Sequence, residues 1–277
     1  MIIYIYGGIC MKKGMKVLLI VLCLIFAGVF AFSGYKLLSK WHEYKVAEKT
    51  YDSISSQYVS TQSNDGKETE ENTPEEQQAP EKEIDPEHSP ITVDFNALKA
   101  QCGDIQAWIY LPDTVINYPV VQCDDNMYYL HRLIDGNYNS SGSLFIECLC
   151  PKNFQADNTI IYGHHMNDGS MFARLVYYNT QEFYEQHPNF YINTLEGKNY
   201  RCEIFAGYVT SSTSDTYQIS FSTDQAFSDY INSMKSQSLF KSQVEVQPGD
   251  KIVTLSTCTY DYDDARFVVQ AKLVEIH

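Results

Sequence analysis

No basic stripe runs through this 277-residue sequence, whose net charge is −15 from 35 acidic against 20 basic side chains. Neutralising a phosphate backbone requires clustered Lys and Arg, so a nucleic-acid-binding protein is excluded. The scattered histidines and acids show no metal-ligand spacing, so no metal and no cofactor is called for. Strands and helices do not alternate in βαβ order, which argues against a doubly wound parallel sheet. No small-x-small cleavage site follows the one long apolar run, only Gly34-Tyr35-Lys36-Leu37-Leu38, so that run reads as a retained anchor rather than a removed signal peptide.

What charge there is lies unevenly. Residues 1–64 carry seven Lys against Glu43, Glu48 and Asp52, residues 65–88 carry ten acids against Lys67 and Lys82, and residues 89–277 are again acidic. The basic start frames Val17–Phe32, which is uncharged and broken only by Gly28. Extended to Leu38 the segment has about 22 residues, enough at 1.5 Å each to cross a hydrocarbon core of roughly 30 Å. With Lys12, Lys13 and Lys16 before it, the positive-inside rule keeps residues 1–16 in the cytoplasm and sends everything after the anchor at 17–38 outside. The apolar Met1–Cys10 stretch ahead of those lysines leaves Met1, Met11 and Met15 open as the start.

Residues 39–59 mix apolar and charged side chains without Pro or Gly and read as a juxtamembrane helix. Residues 60–90 lose nearly all large apolar side chains and gain Glu, Gln, Pro, Ser and Thr. Such a stretch buries too little to offset its ordering entropy and reads as a flexible acidic linker. From residue 91 to 277 the texture is globular, with short β-rich runs between turns. Strands are expected at Ala107–Leu111, Val115–Gln122, Ser143–Glu147, Thr159–Tyr162, Lys251–Ser256 and Arg266–Ile276, with a hairpin of Asn189–Leu195 and Tyr200–Thr210 turning at Glu196-Gly197. Asp94 can cap a short helix, and Ser222 or Thr223 a longer one whose Phe227, Tyr230, Ile231 and Met234 fall on one face. The class is mostly β, an antiparallel barrel or sandwich with few helices.

Eight cysteines are present, Cys10 and Cys23 at the membrane segment and six beyond it. A domain of this size can be held by burial alone, and Cys148-x-Cys150 is too tight for an ordinary bridge or a zinc knuckle. With Cys258 free as a nucleophile, five remain, so mostly reduced, buried thiols are expected.

Three segments carry chemistry. Asn158-Thr-Ile-Ile-Tyr-Gly-His164-His165 is a strand ending in Gly163 that presents a histidine. Val253-Thr-Leu-Ser-Thr-Cys258 is a strand ending in a cysteine, and Asp263-Asp-Ala-Arg266 begins the next strand. Cys258 and Arg266 are eight residues apart and can meet at one sheet edge, whereas His164 lies 94 residues upstream of Cys258 and can join them only through the fold. A thiolate attacks carbonyls, and a neighbouring His or Arg can stabilise it or donate to developing charge, so the trio points to acyl transfer. Singly, each has a plainer reading: a buried small hydrophobe, a hydrogen-bonded turn histidine, an arginine paired with Asp263 or Asp264.

Over about residues 94–277 the sequence resembles the sortases, membrane-anchored cysteine transpeptidases of Gram-positive surfaces. The resemblance rests first on Thr254-Leu255-Ser256-Thr257-Cys258 followed by Arg266. Similarity to class B is carried by Asp94-Phe95-x-x-Leu98, Trp108-Ile109, Asn117-Tyr118-Pro119-Val120-Val121-Gln122, Asp125-Asn126-x-Tyr128-Tyr129-Leu130 and Gly142-Ser143-Leu144-Phe145, and by the extra helix before the Cys strand. Glu147 stands where Asp is common, and His165 where Asn often follows the catalytic His.

The resemblance implies a sortase-like closed β-barrel with peripheral helices behind an N-terminal transmembrane helix. It implies Cys258 as nucleophile, His164 (directly after Gly163) rather than His165 as acid and base, and Arg266 as oxyanion or backbone donor. Asn126, Leu130 and Tyr162 match groove-lining positions, and Ser256, two residues before Cys258, shares its strand face. For Leu130 and Tyr162, helix packing and core burial are the plainer alternatives. The implied partners are surface proteins with a C-terminal sorting signal and the amine of a lipid-linked peptidoglycan precursor at the membrane. Pilin polymerisation, hydrolysis by a cell-wall cysteine peptidase, and a non-enzymatic wall-binding module are the competing readings.

Overall fold

The computed structural model describes residues 13–61 and 87–277. The first twelve residues and most of the acidic linker, 62–86, lie outside the described residues. Two compact units divide the chain, one ending at Val46 and the other running from Ala47 to His277.

Helix α1, Lys13–Tyr58, continues unbroken from the apolar run into the juxtamembrane stretch. Its N-terminal part, with a mean hydropathy of 2.8 and no buried residue in that window, is long and apolar enough to cross a membrane. Its last turns belong to the second unit and have a different character. Ala47, Tyr51, Ile54 and Tyr58 recur at helical spacing and are all buried. Tyr51 donates its hydroxyl to the Gly142 carbonyl at 2.7 Å and sets its ring edge-on to Tyr118 at 5.3 Å. Asn117 Nδ2 donates to Ser55 Oγ at 3.0 Å. The compact unit is therefore wider than the 91–277 read from sequence. Strand β1, Val59–Thr61, extends it further by pairing antiparallel with β2, Ile91–Val93, so both ends of the expected 60–90 linker are held in the fold.

Eight strands close a barrel: β3 (Ile105–Tyr110), β4 (Asn117–Val121), β5 (Leu144–Ile146), β6 (Asn158–Tyr162), β7 (Asn189–Thr194), β8 (Asn199–Ser211), β9 (Ile252–Cys258) and β10 (Ala265–Ile276). Their order around the barrel is β10-β8-β7-β3-β4-β5-β6-β9. Closure leaves no open edge strand in the barrel. The expected strands are all present within a few residues. The expectation of antiparallel pairing holds for most neighbours, but β4 lies parallel to β5, and β6 parallel to β9. Trp108, Ile109, Val120, Leu144, Ile161, Phe205 and Val268 are among the fully buried interior side chains.

Two helices outside the barrel follow their sequence signals. Asp94 accepts from Ala97 N and caps α2, Phe95–Gln101. Thr223 accepts from Ala226 N at 3.1 Å and caps α4, Asp224–Gln237. The α4 stripe Phe227, Tyr230, Ile231 and Met234 packs into one core cluster with Phe205, Tyr208 and Val268, each side chain stabilising by about 1.5–3 kcal/mol on burial. A 3-10 helix at Ala173–Asn179 and α3, Gln181–Gln186, were not anticipated.

A buried polar network ties this helix layer to the barrel wall. Asn158 Nδ2 donates to the carbonyls of Thr216 and Gln218, while its Oδ1 accepts from Thr254 Oγ1 at 2.8 Å. Gln270 Nε2 bridges Thr254 Oγ1 and Tyr230 Oη, and Tyr230 donates to the Thr216 carbonyl. Because a buried polar group left unpaired costs roughly 1–3 kcal/mol, these bonds fix where the β8–α4 connection lies. That connection carries Tyr217.

Candidate active site

Strand direction assembles the site. Because β6 and β9 run parallel, their C-terminal ends lie at the same barrel end, and β10, antiparallel to β9, begins there. The register places Tyr162 beside Ser256 and Arg266 opposite Cys258. Gly163 continues the ladder by donating its N–H to the Ser256 carbonyl at 3.1 Å, which delivers His164 to the end of β9. The 94-residue gap is closed by one parallel strand pair.

All seven residues singled out from sequence, Cys258, His164, Arg266, Ser256, Asn126, Leu130 and Tyr162, line one groove of about 270 Å³. Four further lining residues were not singled out as site residues from the sequence, although Phe145 and Thr257 fall within its motifs. Phe145 and Ser212 lie on or beside strands at the barrel end, and Thr257 alternates with its neighbours on β9. Tyr217 stacks with Tyr162, centroids 6.1 Å apart, and shares a 2.9 Å hydrogen bond with Ser256 Oγ. Asn158 holds the carbonyls of Thr216 and Gln218 on either side of it.

His164 is half-buried, and its Nε2 lies 2.7 Å from the Leu130 carbonyl. A carbonyl only accepts, so Nε2 carries the proton, which leaves Nδ1 free for proton transfer. Its ring stacks on that of His131, centroids 5.7 Å apart and 20° from parallel. Burial lowers the His164 pKa, the Leu130 carbonyl raises it by a smaller amount, and the like charge of His131 lowers it again, for a net downward shift. His165 points elsewhere: its Nδ1 meets the Cys258 carbonyl at 2.9 Å, and its ring sits beside Tyr260. Its side chain takes the place that the next backbone bond of the β6–β9 ladder would fill.

The thiols separate by environment. All seven described cysteines are free, as expected, but only Cys102, Cys150 and Cys202 are buried. Burial pushes Cys150 up to about 11 and Cys202 well above its ordinary value, so both stay protonated near neutral pH. Cys123 and Cys148, half-buried, are also shifted up, first by burial and then by adjacent acids. Cys258 is exposed at the end of β9, inside the groove and across from Arg266. Arg266 uses one N–H on the Ala265 carbonyl at 3.0 Å, and its other donors are compatible with a ligand oxygen. Among the described residues, no three His, Cys, Asp or Glu side chains gather closely enough to hold a metal.

Behind the groove wall lies Glu147, which the sequence showed only as a departure from Asp. It accepts hydrogen bonds from two groove residues, Asn126 Nδ2 at 2.8 Å and Tyr162 Oη at 3.1 Å.

The family model for the sortase domain matches residues 109–274. Sortase B of Listeria monocytogenes is 36% identical over 258 residues, covering 91% of this chain and 95% of that protein. Sortase B of Staphylococcus aureus is 34% identical over 66% of this chain and 75% of its own. The structure of the S. aureus sortase B–substrate complex superposes with a TM-score of 0.63 at 34% identity, covering 66% of this chain and 85% of that one. Bacillus anthracis sortase B, in complex with AAEK1, gives a TM-score of 0.68 at 33% identity, covering 85% and 99% of the two chains. With the TLSTC strand, the closed barrel and these likenesses together, the chain belongs to the sortase family, in its class B branch, and is a cysteine transpeptidase working through a thioacyl-enzyme intermediate.

Proposed function

We propose that this transpeptidase cleaves a C-terminal sorting signal after Thr and joins the surface protein to an amine of a lipid-linked peptidoglycan precursor. The observation that carries this reading is the convergence of Cys258, His164 and Arg266 on one groove. His164 Nδ1 takes the Cys258 thiol proton as the sulfur attacks the carbonyl after Thr, and gives that proton to the departing amine as the C–N bond breaks. The acyl group is left as a thioester. The acceptor amine then attacks that carbonyl, His164 takes its proton, the C–S bond breaks and the sulfur recovers that proton. Arg266 donates to the oxyanion in both tetrahedral intermediates or holds the signal backbone. Asn126, Leu130, Tyr162 and Ser256 bind the signal peptide.

The apolar part of α1 anchors the enzyme in the membrane, with residues 1–16 cytoplasmic and the barrel outside, as Lys12, Lys13 and Lys16 favour.

The test is mass spectrometry of the enzyme incubated with a panel of sorting-signal peptides, with and without an amine acceptor. An acyl adduct on Cys258, discharged by the amine, is expected. Absence of an adduct across the panel overturns the reading, and discharge by water alone with no amine product makes the enzyme a peptidase. His164→Ala is expected to abolish turnover and His165→Ala to keep most of it. The reverse pattern reassigns the acid–base residue to His165.

A further inference from the structure

Glu147 follows β5 and is pinned through its backbone, which donates to the Ile160 carbonyl at 2.9 Å and accepts from Cys150 N at 2.9 Å and Gln122 Nε2 at 3.2 Å. Its carboxylate is half-buried and meets only hydrogen-bond donors. Oε1 accepts from Asn126 Nδ2 at 2.8 Å, Leu149 N at 3.2 Å and Cys148 Sγ at 3.3 Å, and Oε2 accepts from Tyr162 Oη at 3.1 Å. Burial alone would raise its pKa, but the bonds from Asn126, Leu149, Cys148 and Tyr162 outweigh that and hold it below the ordinary carboxylate range. It is therefore ionised at neutral pH and can only accept.

An acceptor-only group dictates the orientation of both partners. The Asn126 amide must turn its NH₂ toward Glu147, and its Oδ1 is then placed to accept from Cys148 N, as it does at 2.8 Å. The Tyr162 hydroxyl must donate toward Glu147, which leaves only oxygen lone pairs for the groove. Glu147 itself does not line the groove, whereas Asn126 and Tyr162 do. We propose that Glu147 is a positioning residue for substrate binding, setting Asn126 as a donor and Tyr162 as an acceptor toward the bound peptide. The proposal rests on the reading of this groove as the signal-peptide site.

The test compares Glu147→Gln and Glu147→Asp with wild type, each as the full chain in detergent micelles, using the best peptide of the panel. Glutamine keeps the shape but adds a donor, so the Tyr162 hydroxyl is free to reverse, while the Asn126 amide, still held through Oδ1 by Cys148 N, loses its charged acceptor. Misorienting one substrate hydrogen bond corresponds to roughly tenfold in KM, with kcat falling no more than about twofold. Aspartate keeps the acceptor-only charge and is expected to recover most of the loss. Alkylation at Cys258 by a small thiol reagent, followed at that residue by peptide mass spectrometry, stays at the wild-type rate. An unchanged KM in Glu147→Gln overturns the proposal, as does a Glu147→Asp variant as impaired as Glu147→Gln, which would reduce Glu147 to a packing role.

A readout without substrate keeps this separate from the function itself. With selective nitrogen-15 labelling of asparagine, the Asn126 side-chain amide signals, assigned by Asn126→Asp, are expected to shift in Glu147→Gln, where the proton bonded to Glu147 loses its charged acceptor. Identical Asn126 signals in the two proteins overturn the orientation claim even if no peptide turns over. Wild-type inactivity on every peptide would instead count against the proposed function.

Discussion

Gly163 is the residue on which strand, core and site meet, and replacing it by alanine tests all three. Its backbone φ is not in the left-handed region, so space decides the outcome rather than conformation. A methyl group there would sit 2.6 Å from Phe172 Cδ2 and closer still to Leu144 Cδ2. Both neighbours are 0% exposed and have nowhere to retreat. Overpacking of this kind costs about 1–3 kcal/mol. If the strain is relieved by β6 moving outward, the bond from Gly163 N to the Ser256 carbonyl is lost as well, adding about 1 kcal/mol. The combined loss is about 2–4 kcal/mol, which for a unit of this size lowers Tm by roughly 5–15 °C. The same movement shifts His164 relative to Cys258, and a displacement near 1 Å can cost about a hundredfold in rate. Circular-dichroism melting and acyl transfer to an amine, measured on the same Gly163→Ala preparation, check both effects. Adding Leu144→Ala, itself destabilising by about 2–5 kcal/mol, should cost less in the Gly163→Ala background than alone, a coupling that a double-mutant cycle reads directly. A Gly163→Ala enzyme with wild-type Tm and rate would refute the account of how β6 delivers its histidine.

Other consequences follow from the same geometry. His131→Gln removes a like charge from beside His164, so the limb of the pH–kcat/KM profile that reports His164 should move to higher pH, and an unmoved limb would show that the stack does not tune it. Tyr51→Phe strips the hydroxyl that reaches Gly142 and Ser143, and chemical denaturation should show a loss of about 1–2 kcal/mol with the helix still docked. Thr223→Ala removes the α4 cap and should lower stability by about 1 kcal/mol with little change in turnover. Because the folded-state pKa of Glu147 is depressed, its contribution is present above the unfolded value near about 4.3 and lost as pH falls through the folded one. Stability measured from neutral pH into acid should therefore fall less steeply for Glu147→Gln than for wild type.

Much of this was legible along the chain because it depends on local pattern. The α4 stripe at Phe227, Tyr230, Ile231 and Met234 and its Thr223 cap follow from helical periodicity and capping chemistry. Cys258 and Arg266 fall opposite each other because an eight-residue spacing permits only neighbouring strands. The α1 register that buries Tyr51 and Tyr58 was not legible, since the surface that receives them is made by residues far away in sequence. Tyr217 escaped for the same reason, being held by Asn158 from 58–60 residues upstream.

By itself, the sequence determined an acidic globular region behind an apolar helix, a strand ending in a candidate nucleophile and the arginine that begins the next strand. Only the tertiary structure decided which histidine nitrogen is free for proton transfer, that Glu147 stands behind the groove, and that β6 runs parallel to β9. Parallel neighbours cannot be joined by a tight turn. Their pairing is a long-range contact chosen by barrel closure and core packing, so no local pattern in the chain encodes it.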